Sequence, residues 1–319
     1  MPTYKEAIRQ ALREEMAARP KSVALGQDIG GFSLSGITAG LSEALGPERV
    51  RDCPISESAM VGMAVGLAMK GYVAMIELAY ADISAVAFSS LVHSAAKLRY
   101  ASNGTLSCPL VLRSPIGRWS RHGPMGTEVT ASWYCNVPDL AIAMPATPAE
   151  AYWDLKRAFG RPIPTLFLED KSLYGTTGEI DGTGPGEAAR VVKDGRALTI
   201  VAAGRAVQVA LEAAERLEAR SGPGEIQVVS LGHVRPFDAA GIRAAAEATG
   251  RVLVVQDEPP FGGYGPMVQS CLAALPAGTL RCAPRLLARP DGFLPYVREE
   301  DFLPDAAGVA RAATELLAA

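Results

Sequence analysis

Short, almost uninterrupted apolar runs alternate with helix-like segments along this chain, and this alternation limits its possible folds most strongly. In the first half, six such runs predict strands at 22–26, 50–55, 72–78, 110–113, 140–144 and 165–169. Between them, helices are predicted at 58–69, 83–100 and 148–159. Apolar strands separated by helices are typical of a parallel sheet with both faces covered. The first half is therefore predicted to be an α/β domain.

The same alternation resumes after a stretch, 174–195, that is rich in glycine and polar residues and is typical of a surface linker. Further strands are predicted at 198–202, 226–231 and 252–256, with helices at 206–220, 239–249, 265–275 and 306–317. A chain of 319 residues is long enough for two domains. We therefore predict an α/β protein with a first domain at 1–175, a linker at 176–195 and a smaller second domain at 196–319.

Charge and residue usage argue against several classes of function. The net charge of −3 disfavours broad electrostatic binding of nucleic acid. No apolar stretch is long enough to span a bilayer, and the N-terminal residues lack the apolar core of a signal peptide, so we expect a cytoplasmic protein. Five cysteines without a C-x-x-C pair, and only three histidines, disfavour a disulfide framework and a metal site in this chain.

The segment 52–58, D-C-P-I-S-E-S, places an acid between a predicted strand end and a predicted helix start. In open parallel sheets, the carboxyl ends of the strands face the ligand crevice. On their own, Ser56 and Glu57 are typical of a helix cap followed by a first-turn acid. Glu57 also lies among apolar residues such as Ile55 and Met60, where a carboxyl group can share a proton with a ligand nitrogen. The residues alone leave both interpretations open.

Motifs for several other chemistries are not supported. Gly30-Gly31-Phe32 follows a predicted strand, but neither G-x-G-x-x-G nor G-x-x-x-x-G-K-[ST] occurs there. The chain has no G-x-S-x-G, which disfavours a serine-hydrolase elbow. Gly262-Gly263-Tyr264-Gly265 is interpreted as a tight turn.

Several stretches, in this order and spacing, carry a resemblance to a known family. They are G-P-E-R-V at 46–50, P-I-S-E at 54–57, A-A-K-L-R-Y at 95–100, P-A-T-P-A-E at 145–150, G-G-Y-G at 262–265, L-P-Y at 294–296 and F-L-P-D at 302–305. Over nearly its whole length, the chain resembles the beta subunit of the E1 component of 2-oxo acid dehydrogenases, in the transketolase-like group of thiamine-diphosphate enzymes. The resemblance implies a pyrimidine-binding domain followed by a transketolase C-terminal-like α/β domain.

The resemblance implies roles for particular residues. Glu57 matches the glutamate that hydrogen-bonds N1′ of the cofactor's aminopyrimidine, which makes it a catalytic residue and not only a helix-start acid. It also implies that the cofactor contacts Gln27, Ile55, Ala79 and Ile83. The family binds the diphosphate and Mg²⁺ through a G-D-G…N motif that two-subunit members carry on the alpha subunit. This chain has no Gly-Asp-Gly, so we expect it to hold half a site and to need an alpha-type partner.

Around the implied site the chain departs from the family pattern. Gln27 stands where an acid is usual, and Ile83 aligns with a phenylalanine that stacks on the pyrimidine; isoleucine offers apolar contact without ring stacking. The active-site histidine of the family aligns with Gly126. His122, four residues upstream, is a candidate catalytic replacement, although a surface-loop histidine is the simpler interpretation.

These observations lead to one expected function and two alternatives. We expect a beta-type subunit of a heteromeric thiamine-diphosphate enzyme that decarboxylates a 2-oxo acid and passes the acyl group to a lipoyl acyltransferase. The alternatives are a two-subunit transketolase-like or acyloin-forming enzyme, and a non-catalytic interaction subunit. An α2β2 assembly is expected, because small residues of the helix 58–69, such as Gly62 and Gly66, let another backbone approach closely.

Overall fold

The computed structural model describes residues 1–117, 122–180, 182, 184 and 186–319, and these residues form two mostly parallel sheets. The strands are β1 (Ser22–Gly26), β2 (Val50–Asp52), β3 (Val73–Glu77), β4 (Leu110–Ile116), β5 (Ala141–Ala143), β6 (Thr165–Asp170), β7 (Arg190–Lys193), β8 (Leu198–Ala202), β9 (Ile226–Ser230), β10 (His233–Arg235), β11 (Val252–Val255) and β12 (Arg285–Leu287). The helices are α1 (Tyr4–Ala18), α2 (Leu41–Leu45), α3 (Glu57–Met69), α4 (Leu98–Ala101), α5 (Ala131–Tyr134), α6 (Pro148–Gly160), α7 (Arg205–Ser221), α8 (Ala239–Thr249), α9 (Tyr264–Leu272) and α10 (Ala306–Ala318). Short 3₁₀ turns lie at Asp82–Ala85, Gly123–Met125, Lys171–Leu173 and Glu299–Phe302.

The first sheet has the strand order β10-β5-β6-β4-β3-β1-β2. Its strands pair in parallel except for β10, which belongs to the second half of the chain and pairs antiparallel with β5. Along β1, Val23 and Leu25 face one core while Ala24 faces another. Most of these strands are buried on both faces, and they are accordingly rich in apolar residues, as the sequence predicts.

The second sheet has the order β12-β11-β8-β9-β7, with β7 antiparallel to β9. One of its faces packs against α7 and α10 in a core of its own. The other face contributes to the same core as the first sheet, where Val229 and Val254 lie in one cluster with Ile76. The two domains therefore share a hydrophobic core.

Most predicted elements are confirmed, with boundaries shifted by one to three residues. β1, β8 and α8 have the predicted limits. β2 is shorter than predicted and ends at Asp52, so Ile55 lies beyond it in a loop.

The segment predicted as a helix at 83–100 is helical, but it is not one regular α-helix. The structure has a 3₁₀ turn at Asp82–Ala85, a π-helical turn at Ser90–Ala95 and then α4. The Ser90 hydroxyl bonds the Ser58 hydroxyl of α3 at 2.9 Å. This contact joins the π-helical turn to α3.

The sequence interpretation missed six elements, which are α1, α2, α5, β7, β10 and β12. The start of α1 is a capping box: the Glu6 amide donates to Thr3 Oγ1 at 3.2 Å, and the Thr3 amide donates to Glu6 Oε2 at 2.8 Å. β7 lies inside the range predicted as a linker, so the end of that range is part of the second sheet. Asp181, Thr183 and Pro185 of the predicted linker lie outside the described residues, and the domain limits themselves stay a prediction.

No helix among the described residues is long and apolar enough to cross a membrane.

Candidate functional site

The residues predicted for the site lie along the carboxyl edge of the first sheet. Glu57 follows β2, Gln27 follows β1, Ala79 follows β3 and His122 comes after β4. These four strands are neighbours in the order β4-β3-β1-β2. The parallel sheet thus brings residues that are far apart in the chain to one edge, where open α/β sheets bind ligands.

Glu57 is the first residue of α3 and is only 4% exposed. Gln27 Nε2 donates to Glu57 Oε1 at 3.3 Å, and no second donor to this carboxylate is found among the described residues. The Ser56 hydroxyl donates to the Pro54 carbonyl at 3.2 Å and does not cap the helix. The simple interpretation of a serine cap is therefore wrong, and the carboxylate keeps an acceptor oxygen for another group.

The other predicted cofactor contacts add apolar side chains to the same edge of the sheet. Ile55 precedes Glu57 by two residues and is 84% exposed. Ala79 and Ile83 are half-buried and follow β3. A buried carboxylate beside an exposed aliphatic side chain suits a flat, nitrogen-containing ring that needs one hydrogen bond and apolar contact. The Glu57 carboxylate and these apolar side chains therefore fit an aminopyrimidine ring.

A cavity of about 640 Å³ lies at the same edge, over the ends of β3, β4 and β6. Its described wall includes Lys5, Ser35, Ala79, Tyr80, His122 and Lys171. Ala79, one of the predicted cofactor contacts, is part of this wall. Among the described residues, no group of three or more His, Cys, Asp or Glu side chains is arranged to hold a metal ion.

His122 lies in this cavity wall and contacts Tyr80. Its Nε2 and the Tyr80 hydroxyl are hydrogen-bonded at 3.1 Å, and the ring centroids are 4.8 Å apart. Its Nδ1 is buried and has no hydrogen-bond partner among the described residues. The histidine is therefore half-buried and held by a neighbour, unlike a freely exposed loop side chain.

Gly126 makes room for this arrangement. A Cβ atom at Gly126 would lie 3.0 Å from the His122 Cβ and 3.1 Å from Tyr80 Cδ1. These distances are shorter than ordinary van der Waals contact, so a side chain at 126 would displace the His122–Tyr80 pair. The glycine at 126 therefore leaves the space in which His122 packs against Tyr80.

Sequence reasoning missed Tyr80 and Lys171. Lys171 directly follows β6 and is 6% exposed. Its ammonium donates to the Gly126 carbonyl at 2.8 Å and lies 5.0 Å from the Tyr80 ring centroid. Burial lowers the pKa of Lys171, against the opposing effect of Asp170 and two further acids. A lysine at the carboxyl end of a predicted strand was the signal that could have identified it.

A buried ionic cluster supports the strands beneath this edge, and it was also missed. Arg113 is fully buried in β4 and bonds Glu169 of β6 through two nitrogens, with Nε–Oε2 at 3.0 Å. It also pairs with Glu77 of β3. The Tyr174 hydroxyl donates to Glu169 at 2.8 Å. Removing one member of such a cluster would leave a buried, unpaired charge, so the cluster fixes the relative positions of three strand ends.

The comparisons with known proteins cover both halves of the chain. The transketolase pyrimidine-binding domain family matches residues 1–177, and the transketolase C-terminal domain family matches residues 186–309. The 2-oxoisovalerate dehydrogenase subunit beta of Bacillus subtilis is 36% identical over 302 residues, which cover 92% of this chain and 91% of that protein. The mitochondrial pyruvate dehydrogenase E1 component subunit beta-2 of Oryza sativa is 34% identical over 271 residues, with coverages of 82% and 72%.

A solved structure described as a split gene transketolase, inactive beta4 tetramer, has a TM-score of 0.81 to this chain. The superposition covers 100% of this chain and 99% of the chain in that structure, at 22% sequence identity. This likeness shows that the two-domain fold is that of the transketolase group.

Proposed function

The chain belongs to the beta subunits of the E1 component of 2-oxo acid dehydrogenases, in the transketolase-like group of thiamine-diphosphate enzymes, and from this we propose that it supplies the pyrimidine half of an active site shared with an alpha-type subunit. The observation that carries the proposal is the nearly buried Glu57 carboxylate, for which Gln27 is the one donor found in the described part of the chain. The reaction we assign is decarboxylation of a 2-oxo acid with transfer of the acyl group. Thiamine diphosphate, when bound, supplies a nucleophilic carbon and an electron sink for this chemistry.

In this proposal Glu57 holds a proton shared with N1′ of the aminopyrimidine. Gln27 Nε2 already donates to Glu57 Oε1, so Oε1 is oriented by the protein and Oε2 remains for the ring. Burial of the carboxylate strengthens such a bond, because water competes for it less. Exposed Ile55 would pack against the same ring, and Ala79 and Ile83 would complete the apolar surface.

His122 is proposed to replace the histidine that the family carries at the position of Gly126. Tyr80 holds Nε2, which leaves Nδ1 as the nitrogen able to exchange a proton or to bond a substrate oxygen. The replacement is supported by the way His122 fills the space next to Gly126.

The alpha-type partner is proposed to bind the diphosphate and Mg²⁺, since this chain lacks the Gly-Asp-Gly motif. A second copy of the chain would complete an α2β2 assembly. Support comes from α3, which is apolar around its circumference but leaves Gly62, Met63 and Gly66 exposed in the single chain. A helix that is apolar on all sides is normally buried, so we expect a partner to cover this face. All five cysteines are free, as expected of a cytoplasmic complex.

The proposal is tested by co-expressing the chain with an alpha-type partner that carries the G-D-G…N motif. Native mass measurement is expected to show two copies of each chain, and the complex is expected to exchange the C2 hydrogen of thiamine diphosphate for deuterium. Supplying a lipoyl domain or an aldehyde as acceptor then separates the E1 reaction from acyloin formation. An active monomer of this chain, or a stable complex without C2 exchange, would contradict the proposal.

A further inference from the structure

The cavity over β3, β4 and β6 contains a buried ammonium group without an ion-pair partner among the described residues. Lys171 is 6% exposed, yet its Nζ is not within salt-bridge distance of any described carboxylate. An ammonium group has three donors, and the Gly126 carbonyl is the one acceptor found for them in the described part of the chain. Burying a charge in this way is costly unless a counter-charge is supplied. Because no carboxylate of the described residues is paired with it, this ammonium group is suited to a ligand that carries a negative charge.

The nearest acids do not provide it. The Asp170 carboxylate accepts hydrogen bonds from the Ser172 amide at 2.9 Å and from the Ser172 hydroxyl at 2.6 Å. Glu6, the acid among the described cavity-lining residues, is bonded to the Thr3 amide and hydroxyl at the start of α1. Burial lowers the pKa of Lys171 despite Asp170, Asp82 and Glu299, which shows that these acids compensate the charge only in part.

The other groups on the cavity wall favour a negative ligand. Lys5 is a second ammonium side chain, and the Tyr80 hydroxyl and His122 lie beside Lys171. His122 Nδ1 has no partner among the described residues. A volume of about 640 Å³ is large enough for a small organic acid or phosphate ester.

We propose that Lys171 determines substrate specificity by binding a second anionic group of the substrate, a carboxylate or a phosphate, in this cavity. The inference rests on the proposed function, because it assigns the substrate class of the same active site. The carboxylate that leaves as CO₂ is a poor partner for Lys171, since pairing it with a fixed cation would stabilise the substrate more than the transition state. The anion bound by Lys171 must be one that remains on the substrate throughout the reaction.

The test measures binding of three probes to the intact complex by titration calorimetry: glutarate, inorganic phosphate and uncharged glutaramide. The variants are Lys171→Met and Lys171→Arg. The matched control is Lys21→Met, because Lys21 is exposed, lies 5.9 Å from the Tyr72 ring centroid and precedes β1 at the opposite edge of the same sheet. C2 exchange of bound thiamine diphosphate is measured on the same samples.

We expect wild type to bind glutarate or phosphate at least about 10-fold more tightly than glutaramide, and Lys171→Met to lose about 10-fold to 100-fold in affinity for the anion. Lys171→Arg should recover most of this loss, and Lys21→Met should match wild type. The tighter of the two anions identifies the second group as carboxylate or phosphate.

Wild type that does not prefer an anion over glutaramide would overturn the inference, and this comparison needs no variant to fold. Folded Lys171→Met with wild-type anion affinity would overturn it as well. C2 exchange without anion preference would reject this inference alone, whereas anion preference without C2 exchange would reject the proposed function alone.

Discussion

At the scale of single residues, the arrangement of the site depends on the space that each side chain occupies as well as on the groups that it contacts. Gly126 has a φ of −179° and a ψ of 14°, outside the left-handed region that most often selects glycine. Its requirement for glycine is set by the distances of 3.0 and 3.1 Å from a Cβ there to His122 and Tyr80.

Gly126→Ala is therefore expected to push His122 away from Tyr80. Overpacking of this kind costs about 1–3 kcal/mol of stability, and we expect turnover to fall because His122 Nδ1 moves. Gly160→Ala is the control, since a Cβ at Gly160 meets nothing within 4 Å. Turnover and melting temperature of both complexes are the measurements. Wild-type turnover in Gly126→Ala would show that the position of His122 does not matter.

Glu57→Gln tests the residue on which the proposed function depends. The amide keeps the shape of the side chain but cannot share a proton with N1′, so we expect C2 exchange to slow by about 10²–10⁴. Stability should change by less than about 1 kcal/mol, the size of a first-turn helix-dipole effect.

The control for Glu57→Gln is Glu43→Gln, which removes an exposed first-turn acid from α2. It should alter stability by a similar small amount and leave C2 exchange unchanged. Equal exchange rates in wild type and Glu57→Gln would return Glu57 to the role of a helix-start acid.

At the scale of secondary-structure elements, α3 combines two functions. Its first residue is Glu57, and its buried side packs Met60, Val61 and Ala64 into the core shared by the two domains. Its other side exposes Gly62 and Gly66, where an added Cβ meets nothing within 4 Å in the single chain. One helix thus connects the proposed cofactor contact to a face that remains open for a partner.

Gly62→Leu is expected to affect folding and assembly in opposite directions. Leucine favours a helix over glycine by roughly 0.5–1 kcal/mol, so the isolated chain should be slightly more stable. The larger side chain should block close approach of a second helix and reduce the mass of the complex. Gly160→Leu, an exposed glycine at the end of α6, is the control. A full-size complex from Gly62→Leu would show that this face is not an interface.

At the scale of the whole molecule, the two domains are joined by a shared core and by polar contacts across it. Arg289 of the second domain pairs with Glu128 of the first at 2.6 Å. Glu258 is 2% exposed, and neither of its carboxylate oxygens has a hydrogen-bond partner among the described residues. Burial, together with Asp257 and Glu128, raises the pKa of Glu258 to about 8, against the opposing effects of its own backbone amide and of Arg289.

This raised pKa predicts that stability falls as pH increases. Below the ordinary value of 4.5, Glu258 is protonated in the folded and the unfolded chain alike. Between 4.5 and about 8 the folded chain retains a proton that the unfolded chain releases, so the free energy of unfolding decreases with pH. Above about 8 the decrease ends.

Glu258→Gln should remove this dependence. When the pH is raised from about 5.5 to about 8.5, we expect the free energy of unfolding of the variant to increase by about 1–3 kcal/mol relative to that of wild type. Urea denaturation at both pH values is the measurement, and Glu247→Gln, an exposed acid on α8, is the control. If the difference between Glu258→Gln and wild type were the same at both pH values, Glu258 would already be ionised in the folded chain.

The sequence by itself determined those features whose cause is local. Continuous apolar runs such as Leu198–Ala202 predicted strands buried on both faces, and Thr147-Pro148 marked the start of α6. The position of Glu57 between a strand end and a helix start was also readable, whereas its role at the cofactor stays a proposal. Each of these depends on residues within a few positions of each other, so periodicity, capping and spacing are sufficient to predict them.

Only the tertiary structure decided which distant residues meet. Tyr80, His122 and Lys171 follow three different strands, and they converge because β3, β4 and β6 are neighbours in the sheet. The pairing of β10 with β5 and the core shared by both sheets depend on strand order in the same way. Local pattern carries no information about strand order, because a buried parallel strand is rich in apolar residues whichever strands lie beside it.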